Sequence, residues 1–372
     1  MKEGWEYKKI GEVCSLYQPK TISSDMLVAD GEYPVYGANG IIGRYIQYNH
    51  EFSEVLVTCR GATCGTINIT TPFSWINGNA MVVQPKNDEL SKTYLAYALQ
   101  GIDLSDVITG AAQPQITRQT LSPKKIPIPP HIEQERIVSE LDLLTSIINK
   151  QKAQLKELDS LAQSIFYDMF GDPIENPKGW EVKKLEEVAS FKNGLNYHPK
   201  ENGFQIKCIG VGDFQDYRAL RDFKLIKDYS IDEIIDDSYY LKDGDIIIVR
   251  SNGSKELVGR NMIVYPQDKK VTYSGFCIRC RLNSLSILPI LLNRILSARG
   301  TMMFLRQEGR GCNISNINQK ILSSVPIILP PLSLQQSFAS KIEAIEAQKA
   351  LITKSMEETQ RLFDSRMDYW FA

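Results

Sequence analysis

The sequence predicts an α+β fold made of two copies of one unit, each a globular part with an irregular, β-rich sheet followed by a long helix. Three observations lead to this prediction: an internal repeat, short β-branched runs within each copy, and a heptad pattern behind each copy. The two long helices are expected to form an antiparallel coiled coil. At 372 residues the chain is long enough for two domains of ordinary size.

The internal repeat has two landmarks. Residues 4–13 recur as residues 179–188, both beginning Gly-Trp-Glu, at an offset of 175. A Pro-Pro pair and a following glutamine, Gln134 in the first copy and Gln335 in the second, recur at an offset of 201. The second globular part is therefore expected to be longer by 26 residues. The predicted globular parts are 1–130 and 173–331, and the predicted spacer helices are 131–172 and 332–372.

Between these landmarks the sequence indicates mostly β-structure. The predicted strands, apolar and rich in β-branched residues, are 54–59, 245–250 and 259–265. Residues 94–99 and 287–298 have helical composition, and Gly101 and Gly300 are the predicted stops. The order of the strands in their sheets does not follow from these patterns.

A heptad seam follows each Pro-Pro pair, with steps that alternate between four and three residues. In the first helix the seam consists of Ile137, Leu141, Leu144, Ile148, Gln151, Leu155, Leu158, Ala162, Ile165 and Met169. In the second it consists of Phe338, Ile342, Ile345, Ile352, Met356 and Phe363, with Lys349 and Thr359 as polar interruptions. Ser333 and Gln336 form a predicted capping box, and residues 171–173 are the predicted end of the first helix. A single apolar seam of this kind usually packs into the core of its own domain. Because two matched seams are present, the simplest arrangement packs the two helices against each other.

Composition excludes several classes of protein. No apolar run reaches the length that spans a bilayer, and the first residues do not resemble a signal peptide, so a cytoplasmic location is expected. Seven cysteines, an odd number, favour reduced thiols. Cys277 and Cys280 are expected on opposite faces of one strand, and His50, His131 and His198 are far apart in sequence. No metal site is expected.

Charge is distributed unevenly along the chain. The formal net charge is -1, but residues 178–330 contain 23 Lys and Arg against 17 Asp and Glu, whereas residues 131–177 contain 4 against 9. This local basic excess permits binding to phosphates without proving it. Antiparallel helices of about 50 to 60 Å would let two globular parts each reach a major groove on one face of DNA, with an unread gap between.

Several ordered motifs resemble the conserved regions of type I restriction–modification specificity subunits. In the first copy these are residues 113–116, Leu121, residues 126–130, Glu133, Gln134, Ile137, residues 163–166 and residues 169–172; in the second, residues 313–315, Pro330, Pro331 and Gln335. The resemblance covers essentially the whole chain. It implies two target-recognition domains, each reading one half of a split, asymmetric DNA site, joined by a helical spacer. The first helix lacks the short tandem repeats that some members use to set the spacing.

The resemblance also implies partners. These are methylation subunits that bind S-adenosylmethionine and restriction/translocase subunits that use ATP and Mg²⁺, while this chain itself holds no cofactor. The residues agree with a non-catalytic role: Asn176-Pro177 and Gly210-Val211-Gly212 do not complete methyltransferase motifs, and no phosphate-binding loop is present. Residues 243–245 are expected to form a turn, and Asp236 and Asp237 to be solvated.

The candidate DNA-binding residues lie in loops that follow strands, because base edges require amides or forked donors and phosphates require Lys, Arg, Ser, Thr or backbone N–H groups. In the first copy they are Arg60, Thr63, Gln113, Gln115 and Arg118. In the second they are Arg250, Ser251, Asn252, Ser254, Lys255, Arg310, Asn313 and Asn316. Residues 60–63 of the first copy are expected to correspond roughly to residues 250–255 of the second, which places Arg60 opposite Arg250. Asn39, Gly40 and Arg44 rank lower, because Asn-Gly is first a turn signal. A turn or capping role is at least as good an explanation for any one of them.

Two alternatives remain open from the sequence. A specificity subunit whose partner fuses restriction and modification in one chain would look the same. A coiled-coil adaptor without a DNA role belongs to a different class, and salt-sensitive binding to duplex DNA would exclude it.

Overall fold

The computed structural model describes residues 4–38, 40–110, 113–196, 199–214, 219–231, 235–254, 256–308 and 316–371. The chain divides into two compact units, residues 1–154 with 352–372 and residues 155–351. Both divisions fall inside the long helices. Each unit therefore contains one globular part and a portion of each long helix.

The first unit is built around a four-stranded antiparallel sheet. Its elements are β1 (Glu6–Lys9), α1 (Ile10–Val13), β2 (Cys14–Tyr17), β3 (Tyr33–Gly37), β4 (Gly40–Tyr45), β5 (Val55–Thr58), β6 (Ile67–Ile69), β7 (Trp75–Ile76), β8 (Ala80–Pro85), α2 (Lys92–Gly101), α3 (Arg118–Leu121), β9 (Lys125–Ile128) and the start of α4 (His131–Phe170). The central sheet has the order β2-β8-β5-β6, and a smaller sheet has the order β4-β3-β7. β1 pairs with β9, which joins the two ends of the globular part.

Strand β5 is buried on both faces. Val55 and Val57 lie in the core that α2 and the long helices cover, whereas Leu56 packs with Ile76 of the smaller sheet. This explains why the sequence shows a continuous apolar run here rather than an alternating one. The helix α2 ends at Gly101, as predicted.

The second unit repeats this plan with a longer globular part. Its elements are the end of α4, β10 (Glu181–Lys184), α5 (Leu185–Val188), β11 (Ala189–Asn193), β12 (Pro199–Ile209), β13 (Ala219–Leu220), β14 (Asp228–Ile231), β15 (Asp245–Val249), β16 (Asn261–Val264), β17 (Val271–Tyr273), β18 (Cys277–Leu282), α6 (Pro289–Ser297), α7 (Arg299–Glu308), α8 (Gln319–Ser323), β19 (Pro326–Leu329) and the start of α9 (Leu332–Phe371). The sheets have the orders β11-β18-β15-β16-β13 and β14-β12-β17, and β10 pairs with β19. Cys277 and Cys280 lie in different core clusters, on opposite faces of β18 as predicted.

Gly300 does not end a helix, so that prediction is wrong. The helix α6 ends earlier, because Ala298 adopts an extended conformation, and Gly300 lies inside the next helix. A Cβ atom at residue 300 would lie 2.2 Å from a carboxylate oxygen of Asp172. Gly300 therefore packs closely against the Asp172 carboxylate and does not end a helix.

The helices α4 and α9 contain 40 residues each. Every residue of the two predicted seams is buried or half-buried. The helix α4 ends at Phe170, and Gly171 follows with a φ of +76°, as its predicted stop requires. The predicted capping box at Ser333 is wrong, because α9 begins at Leu332 and Ser333 lies within it.

The helices pair in antiparallel fashion, as predicted. In the first unit Glu140 contacts Arg366, and Gln151 Nε2 donates to Ser355 Oγ at 3.0 Å. In the second unit Lys349 Nζ lies 2.9 Å from Asp159 Oδ1. The contacts move back along α9 as they move forward along α4, and polar residues in the seam have polar partners.

The two motif glutamines join the start of each long helix to its globular part. Gln134 is fully buried; its Oε1 accepts from Ser91 N at 2.9 Å, and its Nε2 donates to Glu89 O at 2.8 Å and Pro129 O at 3.0 Å. Gln335 is equally buried and forms the same three bonds, to Leu288 N, Ser286 O and Pro330 O. An amide is required here because the site needs one acceptor and two donors.

Candidate nucleic-acid interface

The predicted loops of the first unit meet at one edge of the central sheet. After β5 the chain continues into residues 59–64, and Ile116 N donates to Cys59 O at 2.9 Å. Arg60 and Gln115 form an isolated antiparallel bridge. Two of the predicted loops are thus brought together, and we call residues 59–64 with 113–116 the loop edge of the first unit.

The second unit has the same backbone frame. Ile317 N donates to Arg250 O at 2.7 Å, and Ser251 forms a bridge with Asn316. Both loops after the strand also close on a glycine with positive φ, Gly65 in one and Gly259 in the other. The described part of the loop edge of the second unit consists of residues 250–254, 256–258 and 316–317.

This frame shifts the expected correspondence between the copies by one residue. Arg250 occupies the position of Cys59, and Ser251 occupies the position of Arg60. Among the described residues, the exposed Arg60 guanidinium has no hydrogen-bond or ion-pair partner. Arg250 is half-buried, and its Nε lies 3.5 Å from Asn316 Oδ1. The two arginines are therefore not equivalent, and Arg60 is the freer of the two to contact a ligand.

The remaining candidates divide into four groups. Gln113, Gln115, Arg118, Ser254 and Asn316 are exposed. Asn252 accepts a hydrogen bond from Ser254 N at 2.8 Å and so closes its own turn, which is the local role that an asparagine in a loop often has. Thr63 is half-buried in its loop. Lys255, Arg310 and Asn313 lie outside the described residues.

Each loop edge also contacts a turn that the sequence did not predict as part of the site. It is the turn before β8, residues 77–79, and the turn before β18, residues 274–276. Cys59 N donates to Asn79 O, and Arg250 N donates to Phe276 O, both at 2.9 Å. The available signal was a glycine between two strand patterns, Gly78 and Gly275, at matched places in the repeat.

The lower-ranked Arg44 has a local structural role. Its guanidinium donates to the carbonyl oxygens of Gly31 and Glu32. Asn39 lies outside the described residues.

Part of the basic excess of the second unit is occupied internally. Arg281 makes two bonds of 2.7 Å to the carboxylate of Asp245, which raise the pKa of Arg281. Lys192 Nζ lies 3.7 Å from the centroid of the Tyr239 ring. The net excess of positive charge therefore overstates the charge available to an external anion.

The loop edges carry no sign of catalytic chemistry in the residues described. Burial raises the pKa of Cys59 to about 11, so its thiol is protonated at neutral pH and is a poor nucleophile. Asp245 N donates to Lys242 O, so residues 243–245 belong to a turn as predicted, and Asp236 and Asp237 are exposed as predicted. Groups of three or more potential metal ligands are not found in the described ranges.

A protein-family model described as the type I restriction modification DNA specificity domain matches this chain twice, at residues 2–157 and 177–361. The two matches cover most of the sequence and coincide with the two copies of the repeat. The chain belongs to this family. The domain that defines this family serves DNA recognition rather than catalysis.

Individual specificity subunits show the same relationship. The StySPI specificity subunit of Salmonella potsdam is 26% identical over 270 residues, which cover 68% of this chain and 57% of that protein. This chain thus spans less than two thirds of that relative. The MjaVIII specificity subunit of Methanocaldococcus jannaschii is 24% identical over 96% of this chain and 90% of its own length.

Solved structures share the fold. The S subunit of a type I system from M. genitalium aligns with a TM-score of 0.60 at 14% identity, over 99% of this chain and 96% of that chain. A chain from a structural study of type I complex assembly aligns with a TM-score of 0.54 at 18% identity, over 99% and 97%. Within the described ranges, every helix is too short or too polar to cross a bilayer.

Proposed function

We propose that this specificity subunit reads a two-part, asymmetric DNA sequence, with one loop edge for each half. The observation that carries the proposal is that the same backbone frame holds different polar side chains in the two units. Arg60 and Gln115 occupy the bridge in the first unit, and Ser251 and Asn316 occupy it in the second. Two surfaces that share a backbone frame but differ in their side chains are what an asymmetric site requires.

The side chains suit direct readout of base edges. An arginine can donate two bonds to O6 and N7 of guanine, and a glutamine or asparagine can pair with N6 and N7 of adenine. Arg60 and Gln115 are exposed and adjacent across the bridge, so they can reach neighbouring base pairs. In the second unit the Ser251 side chain is shorter than that of Arg60, and Asn316 Oδ1 accepts a hydrogen bond from Arg250 Nε.

The chemistry belongs to partners in this proposal. Methylation subunits would hold S-adenosylmethionine, restriction/translocase subunits would hold ATP and Mg²⁺, and the assembly would work in the cytoplasm. This chain would supply the sequence of the target and, through the paired helices α4 and α9, the length of the gap between its halves. A helix of 40 residues is about 60 Å long.

The test uses the complex of this chain with its methylation subunits. The cognate site is first found by mapping methylated adenines with and without this gene. Arg60→Ala is expected to weaken binding to that site by about 1–3 kcal/mol and to relax selectivity in one half-site only. Arg250→Ala is expected to affect the other half-site, by less, because its guanidinium lies near the Asn316 amide oxygen.

Salt-sensitive binding of the complex to duplex DNA would exclude the alternative of a coiled-coil adaptor without a DNA role. Binding of a specificity subunit should fall steeply as salt rises, because phosphate contacts release counterions. The proposed function would be wrong if the complex bound no duplex selectively, or if its binding to DNA did not depend on salt.

A further inference from the structure

The turn at residues 274–276 is hydrogen-bonded directly to the loop edge of the second unit. Cys277 N donates to Ser274 O at 2.8 Å, and Phe276 N donates to Ser274 Oγ at 3.2 Å, which closes the turn. The Phe276 carbonyl then accepts from Arg250 N at 2.9 Å and from Ser251 N at 3.4 Å. The position of Phe276 is thus fixed by the two residues that begin the predicted reading loop.

The turn at residues 77–79 has the same arrangement in the first unit. Ala80 N donates to Asn77 O at 3.0 Å, and the Asn79 carbonyl accepts from Cys59 N at 2.9 Å. Asn79 and Phe276 therefore occupy equivalent positions, each beside the residue that leads into the loop.

The third residue of each turn is the one that projects outward. The middle glycines are packed against the protein, because a Cβ would lie 2.6 Å from Pro19 O at Gly78 and 1.9 Å from Asn196 Oδ1 at Gly275. Phe276, by contrast, is 61% exposed. Asn79 is exposed too, and its amide has no hydrogen-bond partner among the described residues. An apolar ring and an unpaired amide are thus held in the solvent at matched places.

We infer that these turns are a third base-reading element, in which Asn79 contacts an adenine edge in one half-site and Phe276 contacts a thymine methyl group in the other. This inference rests on the proposed function and names the bases that two further residues would read.

The chemistry of the major groove favours these assignments. The methyl group of thymine is the apolar group on the base edges there, and phenylalanine is among the side chains that contact it. Adenine N6 and N7 match the donor and acceptor of an asparagine amide. Asn79 and Phe276 occupy equivalent positions on the backbone frame of the two units. Both are therefore assigned to the major groove. Insertion of the ring between base steps in the minor groove is the competing role for Phe276.

Phe276 is tested with thymine analogues in the complex with methylation subunits. Each thymine of the mapped site is replaced in turn by deoxyuridine, which lacks the methyl group. One replacement, in a single half-site, is expected to weaken wild-type binding about fourfold, the effect of one buried methyl-sized group. Phe276→Ala is expected to weaken binding to the normal site and to be insensitive to that same replacement, whereas Phe276→Leu should keep part of the sensitivity.

Two results would overturn this role. Wild-type binding could be indifferent to every deoxyuridine replacement, or Phe276→Ala could retain the full sensitivity of the wild type. Loss of binding in Phe276→Ala without any coupling to a thymine methyl group would point to insertion instead. Leu285→Ala is the matched control, because Leu285 is 93% exposed and lies beyond the other end of β18; it should bind like the wild type.

Asn79 is tested in the same way with 7-deazaadenine, which lacks N7. One such replacement, in the half-site that does not respond through Phe276, is expected to weaken wild-type binding but not binding by Asn79→Ala. Unchanged base selectivity of Asn79→Ala at every position would remove this residue from the interface. Asn87→Ala is the control, because Asn87 is exposed beyond the other end of β8.

The failures of the two proposals are distinguishable. A wild-type complex without sequence-selective binding would refute the proposed function. A selective wild-type complex in which Phe276→Ala and Asn79→Ala behave like their controls would refute this inference alone.

Discussion

Replacement of Gln134 by leucine should loosen the attachment of α4 to the first globular part. Leucine keeps the approximate size of the side chain but loses all three hydrogen bonds. A buried polar group left without its partner costs about 1–3 kcal/mol. The bond to Pro129 O is buried and should contribute most of that cost, whereas the bonds to Ser91 N and Glu89 O are partly buried and leave groups that water can reach. We expect a total of about 2–4 kcal/mol.

The assay is hydrogen exchange of peptides that cover α2, which begins directly after Ser91. A loss of about 2–4 kcal/mol corresponds to exchange that is about 30-fold to 1,000-fold faster for amides exposed by that opening. Gln335→Leu should have the same effect on peptides that cover α6, because Gln335 makes the same three bonds. Gln154→Leu, at an exposed position of α4, is the control. Unchanged exchange of α2 in Gln134→Leu would refute the assigned role of the amide.

Two more predictions concern the long helices. Insertion of seven residues between Leu155 and Leu158, with a matching insertion near Met356, should lengthen the unread gap in the methylated site by about three base pairs. This follows from about 1.5 Å per helical residue and about 3.4 Å per base pair. Active enzyme with an unchanged gap would contradict the spacer role. Separately, the hydrogen bond from Arg366 lowers the pKa of Glu140 below its ordinary value of 4.5. Its stabilising effect is therefore present above that value and is lost as pH falls through the lower folded-state pKa, so Glu140→Gln should show a smaller loss of stability in acid unfolding than the wild type.

The features that local patterns encode were predictable from the sequence. The repeat and the heptad seams depend on spacing along the chain, and the structure confirms both the seams and their antiparallel pairing. Strand order was not predictable, because it depends on contacts between distant segments, such as the parallel pairing of β12 with β17. The predicted helix stop at Gly300 was wrong for the same reason. Gly300 packs against Asp172, which lies 128 positions earlier in the sequence, and local spacing does not reveal that contact.

The sequence predicted which loops form the candidate site. It did not predict which residue of one copy corresponds to which residue of the other. The loop after the strand is longer in the second copy, so the sequence pattern alone places Arg60 opposite Arg250. The hydrogen bonds instead place Arg60 opposite Ser251. Asn79 and Phe276 were missed because the exposure of a single side chain on a turn leaves no periodic signal.

The burial of two thiols beside the loop edges provides an intrinsic probe of local opening. Cys59 precedes Arg60 and Cys277 follows Phe276, and both thiols are fully buried. Because burial also raises the pKa of each, alkylation at neutral pH should require the strand end to separate from its neighbours. Once the remaining cysteines are replaced by serine or alanine, the labelling rate of Cys59 or Cys277 would report how often one edge opens. A duplex bound across that edge should slow the labelling of its own thiol and leave the other unchanged.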